Sequence, residues 1–264
     1  ERQTGAEDPH PDVATGRRLG DGRHWHANDP ATDRESAPFW YGDDIVEMIR
    51  RSKPAQEIGC HTFSHVPFDD PAVDDRVVRS QLDKCTAVAA DAGIELRSFV
   101  FPRNRIGHVD SLGRHGFTAY RGLQQGWYTS LPGRASRLAS AGHRVFGLTP
   151  PVYRIEELDA SSGVVNVPAS MYLMPRDGVR RLIPAGTRLR QAKRGLMAAA
   201  RREAMFHLWF HPWNVGGSPE LIDWLEQILQ TMSALRSEGQ IDSMTMEEVA
   251  AVRLGDYGRD LHTR

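Results

Sequence analysis

Residues 56–65 read Gln-Glu-Ile-Gly-Cys-His-Thr-Phe-Ser-His. Gln56–Gly59 is a short strand candidate ending in glycine, and His61 and His65 stand four residues apart behind it. Two imidazoles at that spacing can meet one metal ion, on a helical turn or in a tight loop. Neutral imidazole suits zinc, cobalt and nickel, with carboxylate or water completing the shell. The plainer alternative is two partly exposed histidines on a turn. Cys60 could be a third ligand, but adjacent residues seldom reach one ion, and a small buried thiol is the readier reading.

Working outward, helix signals alternate with short β-prone runs. Upstream, Phe39–Arg51 reads as a helix with acids at its start. Downstream, Asp70-Pro71 offers a capping carboxylate and a first-turn proline. Val73, Val77, Leu82, Cys85 and Val88 share one broad face of the helix that follows, and Gly93 ends it. Ser98–Phe101 is β-prone, Val109–His115 helical and Phe117–Tyr120 β-prone again. Phe206–Phe210 is a strand candidate closed by His211-Pro212. Ser218-Pro219-Glu220 opens a long helix with Leu221, Trp224, Leu225, Ile228, Leu229 and Met232 at helical spacing, stopped by Gly239. Thr245 and Glu248 are spaced as a capping box. Short strands separated by helices predict an α/β protein with a mainly parallel sheet or barrel.

Two stretches resist this reading. Residues 1–37 are polar, and they are read as an irregular surface segment whose His24 and His26 are surface residues. Residues 122–204 are read as an insert region, with a strand candidate at Val164–Val167 and a basic run through Arg180, Arg181, Arg188, Arg190, Lys193 and Arg194. A solvated helix face is the default reading of that run. No boundary divides the 264 residues, which are therefore expected to form a single domain.

Composition narrows the function. Hydrophobic residues make up 40% and charged residues 25%, which is a globular balance, and the net charge of -1 gives no nucleic-acid footprint. No run approaches the length of a transmembrane segment, and no signal peptide is visible. Cys60 and Cys85 are too few for a disulfide framework. No GxGxxG, P-loop or GxSxG element appears.

Two further strand ends carry unusual residues. Pro102 closes the apolar run Phe99-Val100-Phe101, which leaves Arg103 and Asn104 at the rim. They are either substrate or carboxylate partners or residues of a solvated loop. In residues 206–214, strand alternation puts His207, Trp209 and His211 on one face and Leu208 and Phe210 on the other. A histidine just before a proline at a strand end can donate a proton near neutral pH. Trp209 and Trp213 are either packing residues or a platform for a sugar ring.

In order, EIGCHTFSH, FVFPRN and FHLWFHPWN resemble the polysaccharide deacetylases (carbohydrate esterase family 4, the NodB-homology domain). His61-Thr62-Phe63-Ser64-His65 fits that family's H-[ST]-x-[ST]-H metal motif without a mismatch. The similarity runs from about Trp40 to Val252. It implies a distorted (β/α) barrel and a divalent-metal hydrolase, zinc first with cobalt or nickel as alternatives, that removes acetyl groups from N-acetylated sugars. It also implies that His61 and His65 ligate the metal with an Asp, and that His211 protonates the leaving amine.

Two departures stand out. The family's apolar strand ending in Asp-Asp is not found. Asp43-Asp44 opens a helix and lies too near His61, while Asp8 and Asp12 have no strand before them. The chain is therefore expected to lack the first barrel strand. In the second motif Phe101 stands where the family has arginine, and Arg103 is the candidate to orient the base from a new position. Two other functions fit the same residues. One is a catalytically silent sugar-binding or structural protein on this fold, and the other is a metal hydrolase of another non-peptide C–N bond.

Overall fold

The computed structural model describes residues 32–175 and 177–256. His24, His26, Asp8 and Asp12 lie outside the described residues. Contacts gather the chain into two compact units. The first is the described part of Glu1–Tyr120 with Ser161–Val164 and Thr245–Glu247. The second is Arg121–Ala160, Val165–Met244 and the described part of Glu248–Arg264.

In the first unit, α1 (Asp43–Arg51) follows a 3-10 turn at Pro38–Trp40. It carries acids in its first turn and arginines in its last, which suits the helix dipole. The next helix, α2, spans Asp75–Asp91. It begins four residues later than Asp70-Pro71 suggests, because Asp74 is the cap and its Oδ1 accepts from Val77 N at 2.9 Å. Asp70 instead closes a tight turn, with Oδ1 accepting from Ala72 N at 3.1 Å. As expected, α2 runs out before Gly93, whose φ of +67° is one that only glycine adopts cheaply. Strand β1 (Ser98–Phe99), helix α3 (Val109–Arg114) and the Ala119–Tyr120 half of strand β2 (Ala119–Gly122) complete this part, and β1 pairs parallel to β2 with Ser98 opposite Ala119.

Gln56–Gly59 does not form the expected strand. Pairing is confined to a parallel bridge between Cys60 and Phe99, flanked by Cys60 N to Ser98 O and Val100 N to Cys60 O, both at 2.8 Å. Gly59 lets the two backbones close, since a Cβ there would lie 2.6 Å from Ser98 Oγ. Beneath lies a core of Cys60, Val66, Phe68, Val77, Val78, Leu82, Phe99, Phe101, Leu112, Phe117 and Tyr120.

The second unit holds most of the stretch that resisted reading. It contains α4 (Gly133–Val145), β3 (Val165–Pro168), β4 (Met171–Tyr172), α5 (Thr187–Arg202), β5 (Leu208–Trp209), α6 (Pro212–Gly216), α7 (Pro219–Ser237) and most of α8 (Met246–Leu254). β4 pairs parallel to β5, with Met171 opposite Leu208. Ser218 caps α7 by accepting from Leu221 N, and α5 packs on α7 through Leu196, Leu221, Trp224 and Ile228.

The basic run is not a uniformly solvated face. Arg188 is buried, and it donates to the Gln191 side chain and the Tyr172 carbonyl. Burial pulls its guanidinium down to about 10.

The distorted barrel is not what forms. The described residues are nearly half helical. Their five strands, two to four residues each, lie in the sheet orders β1-β2-β3 and β4-β5. A barrel requires every strand to be paired on both edges. Here pairing stops early where Pro102 and Pro212 remove backbone donors just past β1 and β5. The fold is mixed α/β with small open parallel sheets.

Candidate functional site

The loop that leaves the Cys60 bridge carries His61 and His65 to the surface of the first unit, with ring centroids 4.9 Å apart at 71°. His61 Nδ1 lies 2.6 Å from the Val100 carbonyl. A carbonyl only accepts, so Nδ1 carries the proton and the lone pair of the neutral ring sits on Nε2. A backbone carbonyl on one ring nitrogen is also how proteins orient a histidine whose other nitrogen ligates metal.

The loop is strained. Thr62 and His65 have φ values of +59° and +56°, a left-handed conformation that costs on the order of 1–3 kcal/mol at a residue with a Cβ. Val66 and Phe68 anchor it in the core. From α2, Gln81 accepts from Ser64 N at 2.8 Å and donates to Ser64 Oγ at 2.7 Å. Lys84 Nζ sits 5.8 Å from the Phe63 ring.

The imidazole pair fits two positions of a four-ligand zinc, cobalt or nickel shell. Among the described residues, no group of three or more His, Cys, Asp and Glu side chains is placed to hold a metal. Cys60 turns inward to Cys85, whose thiol hydrogen bond holds Cys60 below the usual thiol range and Cys85 above it.

Arg103 and Asn104 lie in the 3-10 turn Pro102–Asn104 that follows β1, both left-handed with φ of +55° and +56°. Arg103 is exposed and makes no ion pair among the described residues. The arginine that meets carboxylates is Arg105, with Nε 2.6 Å from Asp69 Oδ1 and Nη1 4.0 Å from Asp70 Oδ2. Gly107 permits this, since a Cβ there would lie 2.5 Å from the Phe68 carbonyl oxygen. Sequence reasoning overlooked this pairing. Its visible signal is the Asp69-Asp70 pair just past His65.

The second unit assembles the other candidates into an aromatic group. Trp209 stacks on Tyr172 at 4.3 Å, and His211 stacks on Trp213 at 4.1 Å and 11°. His211 also meets the edges of Trp209 at 5.5 Å and Tyr172 at 5.9 Å. The Arg121 guanidinium lies 4.0 Å over Trp209, and Tyr172 Oη donates to Asn214 Oδ1. Leu208 and Phe210 pack on the core, as alternation predicts. Trp213 is 70% exposed. Tyr172 was not legible as a member, because β4 is two residues long and meets its partner 37 positions further along the chain, and Arg121 reaches Trp209 from β2.

His207, on the same strand face as His211, has its Nδ1 atom buried. Its Nδ1 has no hydrogen-bond partner, and burial, reinforced by the Arg121 charge, pushes the ring down to about 4 from 6.5. The folded state therefore prefers neutral His207. This contribution to stability is complete above pH 6.5 and is lost as pH falls towards about 4. Urea midpoints should drop over that window in the wild type, and drop less in His207→Gln. Parallel curves for the two proteins would rule this out.

No protein-family model matches the chain, and no curated protein matches it.

Proposed function

We propose that this chain is a divalent-metal-dependent hydrolase that removes N-acetyl groups from an amino-sugar glycan. The supporting observation is the His61–His65 pair, with rings 4.9 Å apart and His61 Nδ1 tied to the Val100 carbonyl, in a motif that resembles the polysaccharide deacetylases. His61 and His65 would hold the ion, which would supply Lewis acidity for the acetyl carbonyl and for a water. The resemblance assigns to His211 the acid role, protonation of the departing amine nitrogen. His207 is unsuited to that role, since a ring held neutral down to about pH 4 carries no such proton near neutrality. Within the second unit, Trp213 and Trp209 supply apolar faces for a sugar ring.

A second reading rests on the aromatic group alone. Tyr172, Trp209 and Trp213 could retain a sugar without hydrolysing it.

Purified chain supplied with zinc or cobalt should release acetate from N-acetylglucosamine oligomers, and a chelator should stop the release. Binding of the oligomer without acetate release would favour the second reading. Cleavage of small cyclic amides with none of acetylated sugars would move the activity to another C–N bond.

A further inference from the structure

We propose that α4, the turn after it and the outer face of α5 form a surface that docks on a bilayer of anionic lipid. The net charge of -1 hides a local bias. No aspartate or glutamate occurs from residue 121 to 155 or from 178 to 202, both within the second unit. α4 and α5 are therefore arginine-bearing helices without a carboxylate.

α4 has two unlike sides. Its inner side carries His143, buried against the Tyr128 ring at 5.1 Å and 3.2 Å from Gln191 Nε2 of α5. Its outer side runs through Arg134, Leu138, Ala141 and Val145 at helical spacing, with Arg137 and Arg144 alongside. Leu138 is 74% exposed, and Phe146, just past the helix, is 75% exposed. A Cβ at Gly142 would lie 3.9 Å from the Phe146 ring, so that ring folds back over the turn that follows Leu138. Gly147 then reverses the chain at a φ of +60°, and its carbonyl accepts from Arg194 Nη1 at 2.7 Å. This bond sets the exposed α5 row of Arg190, Arg194, Met197 and Arg201 beside the end of α4. Among the described residues, Arg134, Arg137, Arg144, Arg190 and Arg194 meet no carboxylate. The last three donate to Ser140, Thr187 and Gly147.

The occupant must be both acidic and apolar. A soluble polyanion would neutralise the arginines and leave Leu138 and Phe146 in water. A second copy related by a two-fold axis would set arginine against arginine, because such an interface uses the same patch twice. A peptide helix seats itself in an apolar groove, whereas these two side chains project. An anionic bilayer presents acidic headgroups with hydrocarbon beneath them, and basic amphipathic helices lie at that boundary. The proposal concerns the second unit alone and does not rest on the proposed hydrolysis.

Co-sedimentation of the full chain with vesicles of equal parts phosphatidylserine and phosphatidylcholine tests it. The protein should partition onto these vesicles and not onto phosphatidylcholine alone, and added salt should weaken the partitioning. Arg134→Gln with Arg137→Gln should weaken it about 30-fold, roughly fivefold for each charge near an anionic surface. Leu138→Ser with Phe146→Ser should weaken it about tenfold or more. All four side chains are exposed, so thermal midpoints should barely move. No partitioning, or full partitioning retained by either double variant, would overturn the proposal. If the serine variant retains it and binds heparin as the wild type does, a soluble polyanion replaces the bilayer. Self-association without lipid, lost in both double variants, would overturn the proposal in favour of a second copy.

Discussion

Alanine at His61 or His65 should reduce metal-dependent acetate release on the order of a hundredfold or more, with loss of bound zinc or cobalt after dialysis. Each ring would supply one of two protein ligands, and one remaining imidazole cannot hold a divalent ion against water and buffer. Both side chains are exposed, so alanine leaves no buried cavity and thermal midpoints should barely move. His65 allows a sharper test, because its φ of +56° is strained for a residue with a Cβ. His65→Gly should relieve that strain, offset in part by glycine's greater unfolded-state entropy. It should therefore be no less stable than His65→Ala while equally inactive. Undiminished metal content in the His61→Ala, His65→Ala double variant would remove the basis of the proposed reaction.

The parts of this chain that were legible beforehand are those whose signals are local. Ser218, Pro219 and Gly239 bracket α7 because a cap, a fixed φ and a left-handed stop each act within a turn of the backbone. Gly93 ends α2 for the same reason. The start of α2 shows the limit of that logic, since Asp70 and Asp74 both cap an N–H and only one of them precedes a helix. Strands depend on partners elsewhere in the chain. Gln56–Gly59 has strand-like residues yet pairs only at Cys60, and Met171–Tyr172 is β-structure only because Leu208–Trp209 lies beside it. The barrel came from resemblance, and strands of two to four residues in open sheets do not make one. In the candidate site, residue types were legible and conformation was not. Nothing in Thr62 or His65 announces a positive φ, and nothing in a run of arginines marks Arg188 as the buried one.

The first core predicts the largest loss of stability, at Phe99. This side chain is fully buried, stacked on Phe68 at 5.7 Å, and edge-on to Phe101 at 4.8 Å and Phe117 at 5.5 Å. Phe99→Ala removes the ring on which three others converge and leaves a cavity that their rigid rings cannot collapse to fill. The expected cost is about 3–5 kcal/mol, against a typical total stability of about 5–15 kcal/mol. Phe99→Leu keeps most of the volume and should cost clearly less, so the difference between the two isolates the cavity. The substitution also reaches the histidines, because the Phe99 backbone bridges Cys60 and the adjacent Val100 carbonyl orients His61. The alanine variant, held at a temperature where it remains folded, should therefore bind cobalt more weakly than the leucine variant. Urea unfolding of both proteins measures the first effect and cobalt titration the second. A loss under about 1 kcal/mol for Phe99→Ala would mean that this aromatic cluster is not the packed core it is taken to be.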